Sequence, residues 1–92
     1  MEIQQINRVS KGFFKAVSDG KEAGRMTYSW AGSDKFIIDH TEVNPEFNGQ
    51  GVGKKMVLAA VEYARENGLK IIPLCPFAKA MFDNISEIRD VV

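Results

Sequence analysis

The stretch NPEFNGQGVGKK, residues 44–55, decides the fold, because it joins a strand to a helix through three alternating glycines. Ahead of it, Lys35 to Val43 is predicted to form a β-strand. After it, from Gly51 to Asn67, the apolar residues return at about 100° per residue and fall on one half of a helix. Asn67 and Gly68 form a helix stop signal.

A second strand, Lys70 to Leu74, follows this helix, and a second helix is predicted to begin near Pro76. A strand, a helix and a strand in this order form a βαβ unit with parallel strands and a right-handed crossover. The carboxyl ends of both strands, near Val43 and Cys75, then lie at one edge of the sheet with the amino ends of both following helices. We expect ligands at that edge.

The first half of the chain predicts antiparallel β-structure. Residues 3–8, 13–18 and 22–30 are strand candidates, and Asp19-Gly20 is a hairpin turn signal. The predicted fold class is therefore α+β: a mixed, mostly antiparallel sheet with a central parallel βαβ unit and two helices, in one domain over residues 1–92.

The strand from Lys35 to Val43 carries apolar residues on both faces, which predicts a central, two-sided strand. By simple alternation, one face carries Phe36, Ile38, His40 and Glu42, and the other carries Ile37, Asp39, Thr41 and Val43.

Composition narrows the classes of function. The 92 residues are 45% hydrophobic and 26% charged, as in a single soluble domain, and twelve Lys and Arg balance twelve Asp and Glu. Without net charge, nucleic acid and anionic membranes are not expected partners. No signal peptide or membrane-spanning stretch is seen, so a cytoplasmic protein is expected. The one cysteine, Cys75, cannot form an internal disulfide or a Cys-rich metal site, and no metal is expected.

The glycine loop predicts an anion site. A helix amino end carries roughly half a positive charge and unpaired amides, and glycine lets a phosphate approach. A Walker A motif would need Gly at Asn48 and Ser or Thr at Lys55, and a dinucleotide fingerprint would need Gly at Lys54 or Met56. Both rival motifs therefore fail. The alternative stays open that the glycines form only a tight turn and a helix start.

Residues 48–53 resemble the signature of the GNAT superfamily of acetyl-CoA-dependent N-acetyltransferases: Gln or Arg, two variable residues, Gly, one variable residue, then Gly or Ala. Gly51 and Gly53 match, and Asn48 stands where Gln or Arg is usual. The stretches HTEV, residues 40–43, and IPLCPF, residues 72–77, are similar to a very small single-domain branch of that superfamily. The resemblance covers most of the chain.

The resemblance implies acetyl-CoA (coenzyme A) as cofactor and an amine-bearing acceptor as second partner. It implies that the Val43 backbone pairs with the pantetheine arm as an extra strand would, and that the loop amides take the pyrophosphate. Lys54 and Lys79 would then bind the phosphates near the adenosine. The alternative is that they are ordinary exposed lysines on a solvated helix face. The expected cofactor-binding residues are Val43, Asn48, Gly49, Gln50, Gly51, Val52, Gly53, Lys54, Pro76 and Lys79.

Three residues are candidates for catalysis: Cys75, His40 and Glu42. Cys75 would lie at the amino end of the second helix, where a thiolate is favoured, and the resemblance implies that it takes part in acetyl transfer. The alternative for Cys75 is a small apolar core residue. His40 or Glu42 could accept the amine proton, because acetyl transfer needs an unprotonated amine. The alternatives are a packed, hydrogen-bonded histidine and a glutamate that only lines solvent.

Three functions stay open at this point. The first is an N-acetyltransferase; the second is a non-catalytic module that binds CoA or acyl-CoA; the third is a purely structural domain. A typical GNAT domain has two helices after its first strand for the acceptor site, whereas here the strands run directly into one another. The acceptor groove is therefore expected to be open, borrowed from a partner, or absent, and neither the acceptor nor the oligomeric state can be predicted.

Overall fold

The computed structural model describes residues 1–92 and is built on one five-stranded sheet. The strands lie side by side in chain order; the first three pairings are antiparallel and the last is parallel. This confirms the predicted mixed, mostly antiparallel sheet with one parallel unit. The strands are β1 Glu2–Asn7, β2 Lys11–Ser18, β3 Lys21–Trp30, β4 Lys35–Val43 and β5 Lys70–Pro73.

Both predicted helices are present, as α1 Val52–Asn67 and α2 Pro76–Asn84. α1 ends at Gly68, whose left-handed φ of 65° lets its N–H bond the Ala64 carbonyl, as the stop signal predicts. Two short 3₁₀ helices, Pro45–Phe47 and Ser86–Val91, were not predicted. No helix is both long and apolar enough to span a membrane.

The hydrophobic core lies on one face of the sheet, between the strands and α1. Phe14, Met26 and Tyr28 on β2 and β3 are buried, and their cross-strand neighbours share their face. The Tyr28 ring lies 5.0 Å from that of Phe36, and its hydroxyl donates to Asn7 Oδ1, which satisfies the polar end of a buried ring. No polar or charged residue is buried.

The strand from Lys35 to Val43 is central, as predicted, because it pairs with β3 on one side and β5 on the other. The prediction that it is covered on both faces was wrong, because the opposite face of the sheet is bare. α1 and α2 both pack against the core face. The connection from β1 to β2 has three residues, 8–10, which leaves no room for a helix on the other side. Ile37 therefore stays only half-buried and Ile72 is exposed. We call this surface the open face.

A β-bulge in β4 corrects a second prediction. Tyr28 of β3 lies opposite Ile38, but Thr27 lies opposite His40, so Asp39 is an extra residue in β4. The bulge exchanges the faces of the residues that follow it. Thr41 thus lies opposite the buried Met26, on the core face. His40 and Glu42 were predicted to share the face of Phe36 and Ile38, which was wrong: they project from the open face.

Candidate functional site

β4 and β5 separate at their carboxyl ends. Their pairing runs only from Lys35 opposite Lys70 to Ile38 opposite Pro73. The Ile38 carbonyl then accepts bonds from the amides of Leu74 and Cys75, each at 3.1 Å, and the two chains part. Because β4 continues to Val43, its last residues have no neighbouring strand on that side. This leaves a gap at the predicted edge of the sheet.

The backbone of β4 presents unpaired groups to this gap. The Asn44 amide donates to the Ala23 carbonyl of β3 at 2.8 Å. Since backbone groups alternate sides along a strand, those of Glu42 also point toward β3, and those of Thr41 and Val43 point toward the gap. Such an edge can pair with an extended ligand.

Asn44 anchors the start of the glycine loop. In addition to its amide bond to β3, its side-chain oxygen accepts from the Glu46 amide at 3.0 Å, and its side-chain nitrogen donates to the Glu22 carbonyl at 3.3 Å. Phe47, in the 3₁₀ turn that follows, is buried. Sequence reasoning did not single out Asn44, although the Asn-Pro pair is a turn signal that could have indicated it.

Most amides of the glycine loop and of the first turn of α1 have no partner within the protein. Gly49 and Gly51 have φ values of 81° and 70°, which glycine adopts without strain. Gln50 donates to the Phe47 carbonyl, but no acceptor in the protein is found for the amides of Gly49, Gly51, Val52, Gly53 and Lys54. α1 has neither a side-chain cap nor an acidic residue in its first turn. The positive end of α1 therefore has several N–H donors without partners.

The amino ends of α1 and α2 meet at Gly53. A Cβ at this position would lie 2.6 Å from the Phe77 ring, so only glycine fits against it. Gly49 and Gly51 differ, because a Cβ on either would have no heavy atom within 4 Å. One loop glycine is thus explained by packing, and two by backbone conformation beside open space.

Three lysines lie near these helix ends. Lys54 is exposed, and Lys79 lies 3.6 Å from the Asp83 carboxylate, one helical turn further along α2. Lys55, which was not predicted to bind cofactor, donates to the Gln50 carbonyl at 3.2 Å. Its ammonium group therefore lies on the glycine loop itself.

Cys75 is buried at the amino end of α2, with 4% of its surface exposed. Its Sγ accepts from the Ala78 amide at 3.4 Å and lies 3.3 Å from Thr41 Oγ1. Thr41 was not among the predicted site residues, and simple alternation placed it on the face opposite Phe36 and Ile38. The sulfur therefore caps α2 and contacts β4 beside the gap.

His40 and Glu42 form a second pair, on the open face. His40 Nε2 lies 3.0 Å from Glu42 Oε1, and the two side chains are 64% and 75% exposed. Across the strands, Glu42 lies opposite Arg25, which also forms a 2.8 Å ion pair with Glu22. The hydrogen bond from Arg25 lowers the pKa of Glu22. The structure thus brings Cys75 together with Thr41 and His40 with Glu42, and places the two pairs on opposite faces of β4.

Comparisons with known proteins agree with this architecture. The model of a family described as GCN5-related N-acetyl-transferase matches residues 13–91. An uncharacterized N-acetyltransferase of Methanocaldococcus jannaschii is 29% identical over 75 residues, which cover 75% of this chain and 33% of that protein. The chain therefore spans about a third of the length of this curated relative.

Two solved structures share the fold. The solution structure of a GCN5-like protein from Staphylococcus aureus is 40% identical, with a TM-score of 0.71, and the match covers 98% of this chain and 85% of that one. An aminoglycoside N-acetyltransferase solved in complex with CoA has a TM-score of 0.64 at 16% identity, covering 89% and 87% of the two chains. At that identity the likeness concerns the fold alone.

Proposed function

The chain belongs to the GCN5-related N-acetyltransferase (GNAT) family, and from this membership we propose that it binds acetyl-CoA beside β4 and transfers the acetyl group to an amine. The observation that carries the proposal is the set of unpaired amides at Gly49 and from Gly51 to Lys54, next to the free edge of β4. Were these amides already bonded within the protein, no anion could use them.

The pyrophosphate is assigned to the glycine loop. Its free N–H groups and the positive end of α1 favour a doubly charged group, and open space beside Gly49 and Gly51 leaves it room. Asn48 and Gln50 lie in the same loop and are proposed to contact the cofactor there. Of the two proposed cations, Lys79 already forms an ion pair with Asp83, whereas Lys54 is exposed and forms no ion pair. Lys55 reinforces the loop through its bond to the Gln50 carbonyl.

The pantetheine arm is assigned to the gap between β4 and β5. The backbone of Val43, together with that of Thr41, would bond its amide groups as a neighbouring strand would. Pro76 begins α2 on the far side of the gap, and its missing N–H leaves no unpaired donor there. Acetyl-CoA would supply the activated acetyl group. The chain would hold the bound acetyl-CoA in place and accept the proton of the amine.

Two routes of transfer remain, and they use opposite faces of β4. In direct transfer, the amine nitrogen bonds the acetyl carbon as the carbon–sulfur bond of the thioester breaks, and His40, oriented by Glu42, accepts the amine proton. In the second route, the Cys75 thiolate would bond the acetyl carbon and CoA would leave as a thiolate. The amine nitrogen would then bond the acetyl carbon, the Cys75 thiolate would leave, and the amine proton would pass to solvent. The buried, bonded position of Cys75 demands that the bound thioester reach it from the gap.

Calorimetry and a transfer assay test this proposal. We expect CoA to bind with measurable heat, and at 100 times its dissociation constant to add about 2.7 kcal/mol to the free energy of unfolding. Acetyl-CoA with a panel of amines should release CoA. Loss of turnover in Cys75→Ala would favour the thiol route, whereas loss in His40→Asn and Glu42→Gln would favour direct transfer. A chain that binds no CoA at millimolar concentration would refute the proposal.

A further inference from the structure

Two hydrogen-bonding groups from different elements meet at one sulfur atom. Thr41 Oγ1, on β4, and the Ala78 amide, in the first turn of α2, lie 3.3 Å and 3.4 Å from Cys75 Sγ. The amide can only donate to the sulfur. The hydroxyl can donate or accept, so it can adapt to a thiol or to a thiolate.

The Thr41 contact depends on the β4 bulge. Without the extra Asp39, strict alternation would direct Thr41 to the open face, away from the sulfur. With the bulge, a hydroxyl lies on the core face, where every fully buried neighbour is apolar. Its one side-chain partner there is Cys75. An aliphatic residue of the same shape would fill this space without a polar group, so the hydroxyl points to a role at the sulfur.

We propose that Thr41 is a positioning residue for Cys75: its hydroxyl donates to the thiolate, as the Ala78 amide does, and fixes the sulfur beside the gap. When the thiol is protonated, its S–H donates to Thr41 instead. When the proton leaves to solvent, the hydroxyl rotates and donates, and the anion keeps two hydrogen bonds. The role of this sulfur in acetyl transfer rests on the proposed function; the hydrogen bond itself does not.

Cys75 is the single cysteine of the chain, so thiol chemistry reports on this site alone. The experiment measures alkylation of the apo-protein by iodoacetamide, followed by intact mass spectrometry across the pH range from about 5 to 10. The limiting rate at high pH reports how accessible the sulfur is. The dependence of the rate on pH below that limit reports the fraction of the thiol that is ionised. Scaling each profile to its own limit separates the two effects.

Three variants make the test specific. Thr41→Val keeps the shape and removes the hydroxyl; Thr41→Ser keeps the hydroxyl and removes the methyl. Thr27→Val makes the same chemical change opposite His40, on the open face, and serves as the matched control. We expect the Thr41→Val profile to move to higher pH and alkylation at neutral pH to fall about tenfold, since bonds to charged groups are strong. Thr41→Ser should restore the wild-type profile, and Thr27→Val should not move it.

The proposal is overturned if the scaled Thr41→Val and wild-type profiles coincide, or if Thr41→Ser shifts as far as Thr41→Val does. CoA titrations of the same proteins distinguish a failure of the proposed function from a failure of the proposed role of Thr41. If CoA fails to bind the wild type, the proposed function fails while the alkylation profiles still decide the role of Thr41. If CoA binds and the profiles coincide, only the role of Thr41 fails.

Discussion

Replacing Gly51 with alanine separates the conformational role of the loop from its role in binding. Gly51 and Gly68 flank the same helix, with φ values of 70° and 65°, and a Cβ on either would meet nothing within 4 Å. Left-handed alanine costs about 1–2 kcal/mol, and the stiffer unfolded chain returns about 0.4–1 kcal/mol. Each variant should therefore lose about 1 kcal/mol of stability, or about 4–8 °C in Tm.

The two variants should differ in CoA binding. At Gly51 the new methyl group occupies the open space beside the free amides, and relief of the backbone strain moves those amides. We expect the Kd for CoA to rise at least about tenfold, because the loss of one charge-assisted hydrogen bond has an effect of about this size. Gly68 lies at the other end of a 16-residue helix, about 24 Å away, and Gly68→Ala should leave the Kd unchanged.

Titration calorimetry and thermal melts of both variants measure the two effects separately. If Gly51→Ala binds CoA as tightly as the wild type, the loop does not hold the pyrophosphate. If both variants weaken binding equally, the loss comes from reduced stability, and the assignment of the amides again fails.

Two further results are expected. Gly53→Ala should lose about 1–3 kcal/mol from overpacking against Phe77, and the double variant with Phe77→Leu should regain part of this in urea unfolding. The hydrogen bond from Arg65 lowers the pKa of Asp90 in the folded protein. The ionised carboxylate therefore stabilises the fold at pH values above its ordinary pKa of about 3.9. This contribution is lost as the pH falls through the lowered pKa of the folded state. Asp90→Asn should therefore reduce stability at about pH 6 and converge with the wild type near pH 2; a constant difference would contradict this.

Local signals in the sequence predicted most of the fold. Asp19 and Gly20 have φ values of 50° and 79°, the conformation that the hairpin signal requires. Helical spacing, the Asn67-Gly68 stop and the Pro76 start placed α1 and α2 because each depends on neighbours along the chain. The 3₁₀ helix Ser86–Val91 has no such signal. It is held by distant contacts, including those from Arg65 to Asp90 and to the Glu87 carbonyl.

The site was predicted only in part, because its side chains depend on the pairing between strands. The free amides follow from glycine spacing at a helix start, which a single sequence shows. The bulge at Asp39 depends on how β3 and β4 align, with the Ser29 hydroxyl bonded to the Asp39 carboxylate at 2.6 Å. One extra residue there moved Thr41 to the sulfur and His40 to the open face. Alternation along one strand could not reveal this.

The two halves of the proposed reaction make different demands on the chain. In the proposed arrangement, the cofactor is held mainly by main-chain groups of β4 and of the loop before α1, so a short βαβ unit suffices. Selecting an acceptor needs side chains and walls, and the open face carries the exposed His40–Glu42 pair and a cavity bordered by Thr27, Ser29 and Asp39. Substitutions on the open face should therefore change turnover while CoA affinity stays the same, whereas loop substitutions should change affinity first. If open-face variants weakened CoA binding as much as loop variants do, this division between backbone and side-chain roles would be wrong.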